Sequence, residues 1–280
     1  VQLSKEIQEV LVDYTKRICE GASIVGLANI QFIIKNSTVY CLEVNPRASR
    51  TIPIVSKVTG VNLVDLAVKA QLGNELVEVG LKEFPDFYSV KAPIFSATKL
   101  KGVDHVLGPE MKSTGEVLGL GLSYEEALYK ALFYKENPFD QTDNKCFLLS
   151  VTEREKENVV SIAMKLIEKG FSIVATEGTA KYLSQKGIKT KRYEEALFLK
   201  EEIAGAIIIP TKGRNLIRLG AKLRELCTRY QVPCFTSLDT ASEAIKLNEV
   251  NRDFRSMKDY YKHQVEGEDQ YATNISEYKS

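Results

Sequence analysis

One short stretch of the sequence gathers carboxylate, amide and guanidinium groups. Glu43 and Asn45 stand two residues apart in a β-rich segment, so a strand would place both side chains on one face. Gln31, in the preceding β-rich segment, would join them if it paired with Glu43. Three oxygen ligands with a single charge suit Mg²⁺ that substrate phosphates also hold. Arg47 and Arg50 follow, and because a guanidinium fork matches phosphate geometry, the stretch is compatible with a phosphoryl-transfer site.

The geometry of this site depends on a predicted β-hairpin. Segments 27–35 and 38–44 are rich in β-branched residues, and the polar turn at Asn36–Ser37 separates them. Gln31 can face Glu43 only across an odd loop, 36–38, with Lys35 opposite Val39, because a strict two-residue loop would turn Gln31 to the other face. A competing interpretation is that these are ordinary surface residues with a salt bridge.

A second candidate site lies at a predicted strand-to-helix turn. Strand 171–175 runs into the sequence Ala175-Thr176-Glu177-Gly178-Thr179-Ala180. Small and hydroxyl residues at such a turn free backbone N–H groups to meet an anion, and Thr176 and Thr179 add hydroxyl donors. The same residues are also typical of a helix N-cap in which Gly178 eases the turn. The spacing leaves both interpretations open.

The remaining pattern organises these sites into two domains. Before the polar linker 136–145 we expect helices over 4–20 and 62–72, a strand over 88–95, and a helix to about 135 that begins with a Ser123–Glu126 capping box. After the linker, strands and helices alternate: strands 146–151, 171–175, 204–209 and 232–236, and helices 154–169, 179–186, 214–230 and from about 239. This alternation predicts a small doubly wound parallel sheet. The predicted domains are 1–140 and 145–250, and the polar segment 251–280 is predicted to be a flexible tail.

Composition excludes several classes of protein. Lys+Arg number 38 against Asp+Glu 37, a net charge of +1 with no basic block, which disfavours binding to nucleic acid. Five cysteines without CxxC spacing disfavour a disulfide framework or zinc site and suggest reduced thiols in a cytoplasm. No apolar run approaches 20 residues, so no membrane span is expected. With only two histidines, a His-based triad is also improbable.

The first site carries a family resemblance. The run CLEVNPRASRTIPIVSKVTGVNL, continued by YSVK at 88–91 and LGPEMKSTGEVLGLG at 107–121, resembles the ATP-grasp domain of carbamoyl phosphate synthetase large subunits. The resemblance implies that Gln31, Glu43 and Asn45 hold Mg²⁺ or Mn²⁺ ions that bridge the ATP phosphates. It also implies catalytic roles for Arg47 and Arg50, in contact with the phosphates or the anionic acceptor.

The same resemblance implies a reaction and partners. Such subunits have two homologous ATP-grasp halves. Adjacency to a regulatory domain implies that this segment belongs to the second, which phosphorylates carbamate to carbamoyl phosphate for pyrimidine and arginine biosynthesis. Expected partners are a glutaminase small subunit and the remaining large-subunit domains. The sequence contains no GxxxxGK[ST] phosphate loop, and the lobe that closes over the nucleotide in this family does not precede the matched segment. We therefore expect the chain alone to be inactive, in a larger assembly or as a fragment.

The second site resembles the methylglyoxal-synthase-like regulatory domain of the same subunits. Ser150-Val151 with Lys156, followed by the ATEGTA turn, carries this similarity over about 146–247. It implies that a nucleotide or phosphate effector is contacted by four residues: Lys156, Thr176, Thr179 and Thr211. Lys191 or Lys212 could supply further charge. The fold class expected for the chain is thus a partial ATP-grasp lobe, α+β, followed by a small doubly wound α/β domain.

Three departures from that family narrow the expectation. Ile209 stands where many members have Asn, which puts a uridylate-type contact in doubt. The loop 209–214 holds no acidic residue, so elimination of phosphate as in methylglyoxal synthase is not expected. Ala92 after YSVK, with Cys234–Phe235 further on, differs from members that ornithine activates, so ornithine is predicted not to be an effector.

Two other functions compete with a ligase component. The chain could be a stand-alone effector-binding module without catalytic activity. It could also belong to another ATP-grasp ligase, such as a biotin carboxylase or a purine-pathway ligase, although the appended ATEGTA domain disfavours this. The ligase component and the binding module would be separated by whether this gene, or a neighbouring gene, encodes the upstream lobe.

Overall fold

The structure, a computed structural model, describes residues 3–76, 80, 85–95, 113–134, 137–140, 145–200, 202–210, 219–247, 250, 253 and 255–265. The chain forms two compact units, Val1–Asp86 with Arg255–Ser280, and Phe87–Phe254. The division between units therefore falls upstream of the predicted linker at 136–145. Assignment of functional domains to 1–140 and 145–250 stays a prediction.

The first unit is built on a β-hairpin and four helices. Its elements are α1 (Lys5–Gly21), β1 (Asn29–Lys35), β2 (Thr38–Asn45), α2 (Thr51–Thr59), α3 (Leu63–Gln71) and α10 (Met257–Val265). Ser4 caps α1, since its hydroxyl accepts a hydrogen bond from the Ile7 amide. Helix α2 was not predicted, and it begins directly after the loop that carries Arg47 and Arg50.

Helix α10 corrects the prediction of a flexible tail over its own span. Ser256 and Asp259 form a reciprocal cap, in which the Ser256 amide and hydroxyl donate to the carboxylate and the hydroxyl accepts from the Asp259 amide. Tyr260 is buried, and the Tyr261 hydroxyl donates to the Lys57 carbonyl in the last turn of α2. Tyrosine packing therefore orders a segment that polar composition had marked as a tail. Residues 266–280 lie outside the described residues.

The second unit begins with an antiparallel pair, β3 (Tyr88–Ile94) and β4 (Gly115–Gly121), covered by α4 (Tyr124–Leu132). Helix and strand approach closely, because a Cβ on Gly119 would lie only 2.1 Å from the Ala127 carbonyl oxygen. The Ser123 cap is confirmed, since its hydroxyl accepts from the Glu126 amide. Glu126 in turn accepts from the Leu122 amide at 2.8 Å, one residue earlier than a standard capping box.

A five-stranded parallel sheet forms the rest of this unit, which confirms the doubly wound prediction. Its strands are β5 (Cys146–Ser150), β6 (Ser172–Ala175), β7 (Lys191–Arg192), β8 (Ile203–Ile208) and β9 (Cys234–Phe235), in the order β7-β6-β5-β8-β9. The helices are α5 (Lys156–Glu168), α6 (Glu177–Gln185), α7 (Ala196–Leu199), α8 (Leu219–Arg229) and α9 (Leu238–Lys246). The strand order reverses at β5, so the carboxyl ends of β5, β6 and β8 border the expected ligand crevice.

Apolar clusters cover both faces of the sheet. Phe147 and Leu149 point to one cluster, with Leu166 of α5 and Leu183 of α6. Leu148 points to the other, with Leu223 of α8. Continuous apolar strands such as β5 and β8 result from burial on both faces, as expected for a parallel sheet.

The helices offer no simple membrane span. Among the described residues, no single helix is long and apolar enough to cross a bilayer. Helices α2 and α3 reach the required length and composition only together, and they are bent by 107° where they meet.

Candidate functional sites

Gln31 pairs with Glu43, as the site requires, but the hairpin loop differs from the expected one. The turn is a two-residue loop in which Asn36 and Ser37 have φ of 50° and 61°, and Lys35 pairs with Thr38. Two successive positive φ values are typical of the tight turn that matches strand twist. The expected odd loop, with Lys35 opposite Val39, is therefore wrong.

A β-bulge compensates for the shorter loop. Phe32 pairs with Cys41, but the next pair is Gln31 with Glu43, so Leu42 is an extra residue on β2. A bulge places two residues opposite one and so shifts the register by one. The shift returns Gln31 to the face of Glu43, which is the arrangement that metal binding needs.

Four polar side chains consequently share one face of the hairpin. Asn29 pairs with Asn45 and Gln31 pairs with Glu43, and directly opposed residues project to the same side. The Asn45 side-chain nitrogen donates to Glu43 Oε1 at 3.0 Å. That bond orients the Asn45 amide oxygen and leaves Glu43 Oε2 for another partner. Asn29 was not singled out from sequence, although its position two residues before Gln31 was the available signal.

This donor set fits a hard divalent cation in chemistry. It offers one carboxylate and three amide groups, all oxygen ligands of the kind Mg²⁺ prefers. Within the described part of the chain, no group of three or more His, Cys, Asp or Glu side chains gathers to hold a metal. A cation on the hairpin would therefore draw most of its compensating charge from a bound anion such as a polyphosphate.

The two arginines lie between this face and α2. Arg47 follows Asn45 closely, its amide donates to the Asn45 carbonyl at 2.8 Å, and its guanidinium donates to the Ala48 carbonyl at 3.1 Å. Arg50 is the residue before the first turn of α2, where backbone N–H groups add positive potential. Between them, the buried Ser49 hydroxyl has no hydrogen-bond partner among the described residues. Cationic groups and an orphaned hydroxyl next to the ligand face fit a site for phosphate.

The second site assembles at the carboxyl ends of β5 and β6. The Thr176 hydroxyl lies 3.3 Å from the hydroxyls of both Ser150 and Thr179. Thr179 is 1% exposed, and its hydroxyl accepts from the Val151 amide at 3.2 Å. Thr176 occupies the N-cap position of α6 but makes no capping bond with its side chain. The structure therefore joins the two threonines and adds Ser150, which sequence reasoning had not assigned to the site.

Lys156, at the start of α5, lies near the first turn of α6. Its ammonium nitrogen lies 4.0 Å from where a Cβ on Gly178 would stand, in the first turn of α6. It also lies 2.6 Å from Glu153 Oε2 and 5.9 Å from the centroid of the Tyr182 ring. Glu153 and Tyr182 were missed from sequence, and only their spacing from Lys156 and Thr179 could have suggested them.

Two other predicted contacts of the effector, Thr211 and Lys191, are not joined to the threonine cluster by any described interaction. Thr211, like Lys212, lies outside the described residues. Ile209 follows β8, and its amide donates to the Ser150 carbonyl at 2.9 Å, so the loop that leads to Thr211 starts beside the cluster. Lys191 is exposed on β7 at the edge of the sheet, with no described contact to the threonines.

Cys146 and Cys227 are poorly suited to act as nucleophiles. All five are free thiols. Burial raises the pKa of Cys146 to about 11. The pKa of Cys227 is raised strongly by the hydrogen bond between Cys227 and Cys234 and by burial. A nucleophilic cysteine needs the opposite shift, towards the thiolate.

Two family models match separate segments of the chain. Residues 1–79 match the family model described as carbamoyl-phosphate synthase L chain, ATP binding domain. Residues 158–236 match the model of the MGS-like domain. The chain thus combines an ATP-grasp segment, which includes the hairpin face, with an MGS-like domain, which includes the Thr176–Thr179 turn.

Relatives with both parts carry a single name. The chain is 45% identical over 251 residues to a carbamoyl phosphate synthase large chain of Thermoanaerobacter sp. (strain X514), covering 87% of this chain and 23% of that relative. Identity is 39% over 253 residues, 86% of this chain and 24% of the relative, to the large chain of Lachnoclostridium phytofermentans. The chain is 44% identical over 262 residues to the large chain of Caldanaerobacter subterraneus, covering 89% of this chain and 24% of that relative. The chain fits the C-terminal part of a carbamoyl phosphate synthase large chain, and it spans about a quarter of the length of these curated relatives.

Proposed function

We propose that this chain supplies part of the active site of an ATP-dependent ligase that phosphorylates carbamate to carbamoyl phosphate. The single observation that carries the proposal is the bulge-shifted pairing of Gln31 with Glu43, which sets four polar side chains on one face. Gln31, Glu43 and Asn45 would hold Mg²⁺ or Mn²⁺, and the bound cation would bridge and neutralise the ATP phosphates.

The arginines are assigned to the anions of the reaction. Phosphoryl transfer needs little covalent help from the protein and depends mainly on positioning and charge stabilisation. Arg47 and Arg50 follow the ligand strand directly, which supports the proposal that their guanidinium groups would contact the transferred phosphoryl group or the acceptor. The N-terminus of α2 would add partial positive charge at the same place.

An apolar surface beside the ligands suits the nucleoside. Ile33 and Tyr40 pair across the hairpin on the face of Gln31 and Glu43, and both side chains are about half exposed. Exposed apolar groups next to a polyphosphate site offer a platform against which a base can pack. We assign this role to Ile33 and Tyr40.

The activity is proposed for an assembly rather than for the hairpin alone. A face that is open on one side cannot exclude water from a transferring phosphoryl group, so a second lobe must cover it. We infer that the remaining large-chain domains provide the lobe and that a glutaminase subunit provides ammonia; the words "large chain" in the relatives' name agree with a further, smaller subunit. The free thiols agree with a reducing cytoplasm, where carbamoyl phosphate would enter pyrimidine and arginine synthesis.

The MGS-like domain is proposed to bind a nucleotide or phosphate effector. Thr176 and Thr179 would donate hydroxyl hydrogen bonds, the first turn of α6 would donate backbone N–H groups, and Lys156 would add charge. Thr211 is retained as a proposed contact because its loop starts beside Ser150.

Reversal of the proposed step tests the catalytic assignment. The complete large-chain assembly, given MgADP and carbamoyl phosphate, should form ATP. Glu43→Gln should reduce that rate by about a hundredfold or more, since it removes the one charged ligand. Glu9→Gln on α1 is the matched control and should leave the rate unchanged. Equal rates for wild type and Glu43→Gln would refute the metal assignment.

Calorimetric titration with uridylate, inosinate and inorganic phosphate tests the effector assignment. Saturable binding that a Thr176→Ala, Thr179→Ala double variant loses would support it. If the chain binds an effector while the full assembly makes no ATP, the alternative of a binding module without catalysis gains support. If none of the three ligands binds to folded protein, the effector assignment fails.

A further inference from the structure

The predicted effector lysine already has an anionic partner within the chain. Lys156 Nζ lies 2.6 Å from Glu153 Oε2, one turn earlier in the 3₁₀ turn Glu153–Glu155. The two side chains differ in freedom, because the Lys156 side chain is 16% exposed and the Glu153 side chain is 83% exposed. The lysine side chain is therefore largely packed against the protein, whereas the carboxylate side chain lies mostly in solvent.

The lysine is held from a second side by an aromatic ring. Its nitrogen lies 5.9 Å from the centroid of Tyr182, within the range of a cation–π contact. Tyr182 belongs to α6, the helix whose first turn contains Gly178 and Thr179. Together, Tyr182 and Glu153 keep the charge beside the hydroxyl cluster when no ligand is bound.

We propose that Glu153 is an internal competitor for the effector's phosphate. Resting on the effector assignment above, this inference gives Glu153 the place that one anionic oxygen of the ligand takes at Lys156. A tethered carboxylate has a high effective concentration, so a free monoanion that contacts only the lysine gains little by displacing it. A phosphate dianion also reaches the threonine hydroxyls and the α6 amides, which Glu153 does not.

The competition therefore determines which anions bind to the site as well as the effector concentration that binding requires. It favours ligands with a phosphate dianion over simple carboxylates, and it weakens every anionic effector by the loss of the Lys156 pair and by repulsion from Glu153. The exposed carboxylate limits the size of the effect, because water and salt screen its charge. Removal of the charge should tighten phosphate binding by roughly three- to tenfold.

A charge-matched pair of variants tests the proposal. Glu153→Gln and Glu157→Gln remove the same charge, one in the 3₁₀ turn just before α5 and one in the first turn of α5, but Glu153 is the one paired with Lys156 in the described structure. Inorganic phosphate, uridylate, inosinate and acetate are titrated into wild type and both variants at low and high salt. Glu153→Gln should bind the phosphate ligands more tightly, most clearly at low salt, and should gain measurable acetate binding, while Glu157→Gln stays within about twofold of wild type.

The outcomes separate this inference from the function on which it rests. Phosphate ligands that bind wild type and Glu153→Gln equally, or the variant more weakly, would overturn the competitor role and leave the effector site standing. Equal tightening by both variants would overturn it too, because it would show a general charge effect. No binding to any of the three folded proteins would reject the effector site and the competitor together.

Discussion

The two candidate sites position their groups in opposite ways. On the hairpin, Gln31 and Glu43 are exposed side chains of a two-stranded ladder, and most of their bonding capacity is left for a ligand. At the parallel sheet, Thr179 is buried, and its hydroxyl already accepts from the Val151 amide. The hairpin site is thus a polar face open to solvent, whereas the site at the parallel sheet is part of the core of its domain. Substitutions should affect chemistry alone at the first and both binding and stability at the second.

Thiol labelling gives the largest expected contrast. Cys41 is exposed on the hairpin, whereas Cys146 is buried in β5 with a pKa raised to about 11 by burial. At pH 8 iodoacetamide should modify Cys41 at least about a hundredfold faster, as measured by peptide mass spectrometry. Comparable rates would show that the sheet opens as readily as the hairpin.

The same pKa shift predicts a pH dependence. Between the ordinary thiol pKa near 9 and the folded value near 11, the unfolded chain releases a proton that folded Cys146 retains. Stability contributed by the neutral thiol is therefore present below pH 9 and is lost as the pH rises towards 11. Cys146→Ala should flatten the decline in urea midpoint over this range, and Cys41→Ala, the control, should not.

Loss of the Thr179 hydroxyl should come next in size. Thr179→Val leaves the Val151 amide unpaired in a part-buried position, so the free energy of unfolding should fall by about 1–3 kcal/mol. Thr179→Ser keeps the acceptor and should recover most of this loss. Glu43→Gln on the hairpin should change it by less than about 0.5 kcal/mol. A large destabilisation by Glu43→Gln in urea titrations would contradict the contrast between the sites.

The smallest effect concerns the helix that returns to the hairpin unit. Tyr261→Phe removes the hydroxyl that donates to the Lys57 carbonyl and should destabilise that unit by about 1 kcal/mol. Hydrogen exchange of α2 amides should register the change, while phosphate affinity at the MGS-like domain should not. A loss of phosphate affinity would mean that the two sites are not independent.

The sequence predicted the parallel sheet better than the hairpin geometry. Long apolar strands such as β8 and clear helix signals fix a doubly wound domain locally, because each element buries a whole face. The candidate residues of both sites were chosen by type and spacing, and their roles stay predictions. The hairpin loop was predicted wrongly, since a bulge at Leu42 depends on cross-strand pairing that no local pattern reveals.

Contacts made in three dimensions account for the other misses. Glu153 and Tyr182 meet Lys156 from separate turns of the fold, and neither belongs to a recognisable motif. Helix α10 was missed because its apolar contacts are two tyrosines in a polar segment, although Ser256-x-x-Asp259 was a readable cap. Propensity describes a segment alone, and here packing against another segment decided the outcome.

The bulge at Leu42 also determines where a hairpin of this kind can lose one residue and keep its metal ligands on one face. With the two-residue turn retained, a hairpin lacking this one residue would pair Phe32 with Cys41 and Gln31 with Glu43 in an unbroken ladder. The same ligands would then face the same side. A one-residue gap at this position in a homologue is therefore compatible with an intact metal face, whereas an uncompensated gap elsewhere between Gln31 and Glu43 would separate them.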